Sequence, residues 1–240
     1  YRYDGNSDVI TYHLGEIFTD DSDPNTMKAD VIGILFNSGV VINGQSNMYV
    51  YWAGKFQKGR YLKKLRNSKI FNKVIKSLLL KVTNEDRDVI CVIERLKFID
   101  QLFSWLSVDS KSKFTSSAKN DQLEYKVVFA TPGKIRDGVD IPKKDCLIMT
   151  SPVSNIAQMA GRIVRTSKDK RTPIIIDIID ITCKDICRSF INRLNYYKSK
   201  NWNVKYLYID NNEEKYFIDE IAVMNLIANS YDYYEVRRSE

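Results

Sequence analysis

From residue 88 onward, short continuous apolar runs alternate with segments whose apolar residues recur every three or four positions. The runs are DVICVI (88–93), YKVVFAT (125–131), DCLIMTSP (145–152), TPIIIDIID (172–180) and VKYLYI (204–209). None shows the in-out alternation of a half-exposed strand. Each therefore reads as a strand covered on both faces, as in a parallel sheet packed between helices. Helical periodicity appears in FIDQLFSWL (98–106), in SNIAQMAGRIVR (154–165), around Ile186 to Tyr197, and from about Glu213 to Asn229. A glycine-containing loop is expected after YKVVFAT. The alternation predicts β-α units and an α/β fold.

The preceding region has a different rhythm. ADVIGILF (29–36) and VVING (40–44) flank Asn37, Ser38 and Gly39, a pattern that predicts a β-hairpin. A basic amphipathic helix is expected over about residues 60 to 82, with Leu62, Leu65, Ile70, Val74, Ile75 and Leu78 on its apolar face. Its lysines suit either a solvated helix face or contact with phosphates. SVDSKSKFTSSAKND (107–121) reads as a surface loop, with a short strand at 113–115.

Composition narrows the class. With 44% hydrophobic and 28% charged residues, ten Gly and five Pro, the 240-residue chain is globular rather than disordered or fibrous. Its length fits one large domain, or one with an appendage. The balance of 37 Lys and Arg against 30 Asp and Glu, net +7, suits a polyanionic partner such as nucleic acid. No apolar run approaches the roughly 18 residues of a membrane span, and no signal peptide is visible. Cys91 and Cys146 lie in strand-like runs and read as small core residues. Cys183 and Cys187 share a helix face, but no second pair completes a tetrahedral metal site, so no metal ligands are expected.

The chemistry concentrates in two short stretches. If SNIAQMAGRIVR is a helix, Gln158, Arg162 and Arg165 fall at i, i+4 and i+7 on one stripe. Ser154 or Asn155 is the expected N-cap, and Gly161 opens space for a neighbouring surface. Two guanidiniums on one stripe match a multi-oxygen anion such as phosphate, with ordinary surface ion pairs as the competing account. About twenty residues upstream, FATPGKIRDGVDIP (129–142) comes directly after a strand. There Gly138 can offer a bare backbone N–H to a phosphate, and Asp140 adds an acceptor.

The run A-T-(x)6-G-V-D-I-P with Q-x-x-G-R-x-x-R after it resembles motifs V and VI of superfamily 2 helicases, in order and spacing. DVICVIERLKFIDQL (88–102) is similar to motif IV of the same RecA-like domain. YRYDG (1–5) with YHLGEIF (12–18) resembles the segment directly after motif III in the UvsW-like and XPB-like DNA helicases, a group that includes phage proteins.

The resemblance implies a RecA-like parallel sheet with helices on both faces, preceded by a short β-hairpin and helix segment. Residues 1–58 would be a remnant or linker after a missing first domain, and 59–240 the helicase C-terminal domain. Arg165 would be the arginine finger, Arg162 a second phosphate contact, and Gln158 the residue orienting water or the finger. Gly138 would approach the phosphate through its backbone, and Asp140 would contact the ribose or hold an arginine. Thr131, Arg95, Thr115 and Ser116 would contact the nucleic-acid backbone. The implied cofactors are ATP and Mg2+, held mainly by an N-terminal RecA-like domain, and the implied partners are that domain and DNA, with no membrane association.

Pro132 after Thr131 and a short segment between motifs IV and V depart from the family pattern. Neither a P-loop nor an acidic metal box is present: Gly54-Lys55 precedes Phe56, Gly133-Lys134 precedes Ile135, and IDEIA (218–222) reads as surface charge. The chain opens on Tyr1, and the expectation is the C-terminal half of a cytoplasmic DNA helicase or branch-migration translocase, inactive alone. A catalytically silent nucleic-acid-binding module and an RNA helicase half stay open as alternatives.

Overall fold

A computed structural model describes residues 25–39, 50–53, 55–136, 139–151, 153 and 156–235. Among these, ten strands are present: β1 (Asp30–Phe36), β2 (Tyr51–Trp52), β3 (Lys55–Phe56), β4 (Val89–Val92), β5 (Lys111–Phe114), β6 (Val127–Ala130), β7 (Cys146–Met149), β8 (Ile174–Asp180), β9 (Asn203–Ile209) and β10 (Lys215–Ile218). The α-helices are α1 (Lys58–Leu65), α2 (Lys69–Asn84), α3 (Leu96–Trp105), α4 (Pro132–Arg136), α5 (Ala157–Ile163), α6 (Lys184–Ser199) and α7 (Glu220–Glu235). Eight strands form one sheet in the order β10-β9-β1-β8-β7-β4-β6-β5, parallel except for the antiparallel β9–β10 pair. β4, β6 and β7 are buried along their whole length, as their unbroken apolar runs require.

Helices cover both faces. On one side Ile32, Ile34, Ile174 and Ile176 of β1 and β8 face Ile70, Val74 and Leu78 of α2. Phe71 of α2 also packs on Phe36 and Phe98, with ring centroids 5.8 and 5.5 Å away. On the other side Asp177 of β8 meets Arg193 of α6. The α/β reading of the sequence stands.

Several local expectations are corrected. β1 is not a hairpin arm: β8 and β9 occupy both its edges in parallel register, from Asp30 opposite Ile174 and Asn203 onward. A run apolar on both faces gains more from a central position than from the turn signal at Asn37–Gly39. VVING lies outside the described residues. β1, which precedes the expected boundary at residue 58, sits inside the sheet. A small antiparallel hairpin does precede the helices, formed by β2 and β3.

The long basic helix is two helices. Ser68 caps α2, its hydroxyl accepting from the Phe71 N–H at 3.4 Å and donating to the Ser38 carbonyl at 2.7 Å. Asn72 Nδ2 donates to the carbonyls of Arg66 and Ser68, satisfying groups released at the break. The loop expected after β6 is the short helix α4, opened by Pro132, whose missing N–H costs nothing at a first helical position. β10 was not foreseen; its exposed KYFI is an edge strand.

The ion pair between Asp177 and Arg193 is 1% exposed on both sides. Arg193 Nε and Nη2 donate to the two carboxylate oxygens at 2.7 and 2.9 Å, and the Tyr197 hydroxyl donates to Asp177 at 3.0 Å. Arg193 Nη1 reaches the Val153 carbonyl at 3.1 Å and Ser189 Oγ at 2.8 Å. Every charge is matched, so removing one partner strands the other. Arg193→Ala should cost about 3–5 kcal/mol in urea unfolding. The Asp177→Ala/Arg193→Ala double variant should cost less than the two single losses added.

Candidate functional site

The register Val92–Ala130–Phe114 across β4, β6 and β5 aligns the carboxyl ends of three neighbouring strands. Arg95, Thr131, Thr115 and Ser116 lie one to three residues past those ends, so the fold gathers all four at one edge of the sheet. In open α/β sheets this edge is the usual ligand side. Thr131 is half-buried; its N–H donates to the Phe114 carbonyl, and its carbonyl accepts from Ile135 N–H at 3.3 Å as α4 begins. Ser116 is exposed. Arg95 precedes α3 and is exposed, yet its Nη2 donates to the Gly59 carbonyl at 2.7 Å, tying the start of α1 to this edge.

The second group forms around the loop after α4. Arg162 Nη2 donates to the Arg136 carbonyl at 2.9 Å and Nη1 to the Val139 carbonyl, so one guanidinium clamps both sides of residues 137–138. Its Nε is buried without a hydrogen-bond partner among the described residues. Gly138 lies outside the described residues, as do Ser154 and Asn155. Arg165 Nη1 meets Asp140 Oδ1 at 2.8 Å, with the side chains 47% and 65% exposed. An exposed pair of this kind adds little stability and exchanges readily with another anion. Gln158 is exposed on α5.

The three-residue stripe is corrected at its end. α5 stops at Ile163, and Arg165 lies beyond it, in an isolated antiparallel bridge with Thr26. Met27 N–H donates to the Val164 carbonyl at 2.7 Å and Thr166 N–H to the Asn25 carbonyl at 2.8 Å. Those bonds replace the next helical turn. Arg165 is thus held by the segment before β1, while Gln158 and Arg162 keep their i, i+4 relation. A Cβ on Gly161 would meet no described neighbour, so this chain's own packing does not demand glycine there.

Two supporting groups escaped the sequence reading. Lys170 Nζ donates to the carbonyls of Ile163 at 2.6 Å and Arg165 at 3.0 Å, capping α5 and fixing the backbone of Arg165. Burial pushes its pKa down to about 8, against the opposing pull of Asp145 and Asp140. In the sequence it is one of the two lysines of TSKDK. Asp180, at the end of β8, is 1% exposed. It accepts from the Ser38 hydroxyl and N–H, the Tyr61 hydroxyl at 3.0 Å, and the Thr182 hydroxyl and N–H. Burial, reinforced by Asp180, raises the Tyr61 phenol well above its ordinary value. This cluster seats α1 at the carboxyl edge.

Cys91, Cys146, Cys183 and Cys187 are buried. Burial pushes Cys146 and Cys183 up to about 12. Among the described residues no group of three His, Cys, Asp or Glu forms a metal site, and no helix is long and apolar enough to cross a membrane. Asp219 of IDEIA caps α7 through the Ala222 N–H at 2.8 Å.

No protein-family profile matches the chain. A protein of Acanthamoeba polyphaga mimivirus bearing the name of an ATP-dependent RNA helicase is 24% identical over 234 residues, 90% of this chain and 43% of the relative. T4 UvsW superposes with a TM-score of 0.54 at 15% identity, over 76% of this chain and 41% of that one. S. cerevisiae Dbp5 bound to RNA and ADP BeF3 gives a TM-score of 0.52 at 14% identity, over 96% and 53%. The chain spans about half the length of these proteins or less. The α/β fold, with its eight-stranded, mostly parallel sheet, matches RecA-like helicase C-terminal domains.

Lys170→Met should speed amide exchange at Arg165 and Thr166 while leaving the sheet protected. By carbon NMR the Lys170 side chain should titrate near 8 instead of the ordinary 10.5. Since the folded pKa is depressed, the penalty for the buried charge is full below about 8 and fades as pH rises toward the unfolded value.

Proposed function

We propose that the chain supplies the C-terminal RecA-like half of an ATP-dependent superfamily 2 motor acting on nucleic acid. One observation carries this reading: Arg162 and Arg165, from one strand-helix unit, converge on the two sides of the loop of residues 136–140 from another. Arg162 is consumed in shaping that loop. Arg165 keeps an exposed head whose present partner is a solvent-facing carboxylate. That division suits a finger that leaves Asp140 for a phosphate presented by a second domain.

ATP, when bound with Mg2+ by the P-loop half, supplies the phosphoryl group whose transfer to water drives the cycle. The residues here fit the phosphate end, with two guanidiniums and the orphaned Arg162 Nε beside a glycine-bearing loop. Arg165 would balance charge that builds on the transferring group. Gln158, exposed on α5, would orient water or the finger, and Lys170 would hold the Arg165 backbone in place. At the carboxyl edge, Thr131, Thr115 and Ser116 would contact phosphates of the strand, with Arg95 beside them. Opening and closing between the two halves would couple hydrolysis to stepping.

The resemblance at residues 1–18 favours DNA and a branch-migration translocase. The RNA-helicase name of the mimivirus relative favours RNA as a second reading. Combining the chain with a P-loop-bearing half and measuring ATP hydrolysis stimulated by DNA or RNA decides between them. Arg165→Ala should lower the stimulated rate by roughly 10³-fold or more. An unchanged rate removes the finger role. Nucleic-acid binding without hydrolysis beside any such half would instead make the chain a silent binding module.

A further inference from the structure

The β2–β3 hairpin presents an aromatic ring that nothing in the motor reading uses. Tyr51 faces inward: its ring packs on Phe56 with centroids 5.7 Å apart, and its hydroxyl donates to Asp185 at 2.6 Å. Phe56 in turn packs on Tyr61 at 5.5 Å. With its root so anchored, the strand's two-residue period turns Trp52 outward. Trp52 is 66% exposed, the Arg60 guanidinium lies 5.6 Å from its ring centroid, and Ala53 at φ 47° makes the turn. A largely bare indole is an unusual surface group.

Its surroundings are cationic. From residue 58 to 84 the chain carries nine Lys and Arg and no Asp or Glu, with Lys58 paired to Glu94 and Lys73 to Glu213 from other parts of the fold. Lys63 and Lys69 of this stretch are exposed, as is Lys55 on the hairpin. The placement relative to the proposed strand contacts is fixed by two links. Tyr61 on Asp180 holds α1 at the carboxyl edge of the sheet, and Arg95 on the Gly59 carbonyl joins its first turn to the end of β4.

We infer that Trp52 and Arg60 form a base-stacking platform for single-stranded nucleic acid, extending the edge marked by Arg95, Thr131 and Thr115. A flat aromatic face accepts any base, while the guanidinium beside it and the lysines of α1 and α2 take the adjoining phosphates. The platform rests on the nucleic-acid contact proposed above and is independent of ATP hydrolysis. It gives that contact a sequence-tolerant character, as translocation requires.

Fluorescence anisotropy of the whole 240-residue chain with labelled single-stranded oligo(dT) and oligo(rU) tests it. Trp52→Ala should weaken binding about tenfold without changing its salt dependence, and Trp52→Phe should recover most of the loss. Arg60→Gln should instead lower the salt slope by about one. Circular dichroism checks that each variant folds. Unchanged oligonucleotide affinity in Trp52→Ala overturns the platform and leaves the rest of the nucleic-acid reading intact, as expected if this indole serves a protein partner. An equal loss toward heparin, which carries charge but no bases, overturns stacking as well. If the unaltered chain binds neither oligonucleotide, the platform and the nucleic-acid contact both fall.

Discussion

A carboxylate in the middle of a parallel sheet is tolerable only if its charge and both oxygens are matched, and that requirement organises this domain. Asp177 lies on β8, beside β1 and β7, where the dielectric is low and water is excluded. Arg193 answers with two parallel hydrogen bonds and Tyr197 with a third. Both residues belong to α6, so its position over the sheet is set by geometry that a purely apolar contact would leave free to slide. The spare Arg193 nitrogen on the Val153 carbonyl carries the constraint into the connection between β7 and α5. The arginine-bearing segment thus hangs from a rigid interior.

Toward the surface the same chemistry is used with looser consequences. Arg162, half-buried, is committed to two backbone carbonyls and shapes the 136–139 loop. Arg165, half-exposed, bonds directly to a solvent-facing carboxylate, where ion pairs are worth little. Its backbone, by contrast, is fixed by the bridge to Thr26 and by Lys170. A fixed main chain with an exchangeable head group suits a residue that must meet a phosphate arriving from outside the domain. Asp180 has the corresponding role at the other end of the sheet. Five donors, none of them a cation, satisfy one buried oxygen pair, and Tyr61 among them ties α1 to the strand end.

Continuous apolar runs were enough to name β4 and β6 to β8, because burial on both faces leaves a mark within four to seven residues; β9 was named from a similar run although it is buried only at Tyr206 and Ile209. The pairing of G-V-D with Q-x-x-G-R-x-x-R likewise pointed to Asp140, Arg162 and Arg165 as neighbours, since its spacing survives in the chain. β1 was misassigned because both its partners are remote in sequence, while a plausible turn lay next door. β10 was missed because an edge strand needs no apolar pattern. Lys170, Asp177 and Asp180 carried no local signal. Each is an ordinary residue until its partner comes from another element.

The sequence by itself determined the class of fold, the order of its buried strands, and which cations and carboxylate would sit near one another, because periodicity and motif spacing are properties of neighbouring residues. Tertiary structure alone decided that β1 completes the centre of the sheet, that Arg165 leaves the helix for a bridge, and that Lys170 and the Asp177–Arg193 pair hold the site's frame. The physical reason is common to all three: buried hydrogen-bonding groups must find partners, and those nearest in space here come from strands and helices far away along the chain.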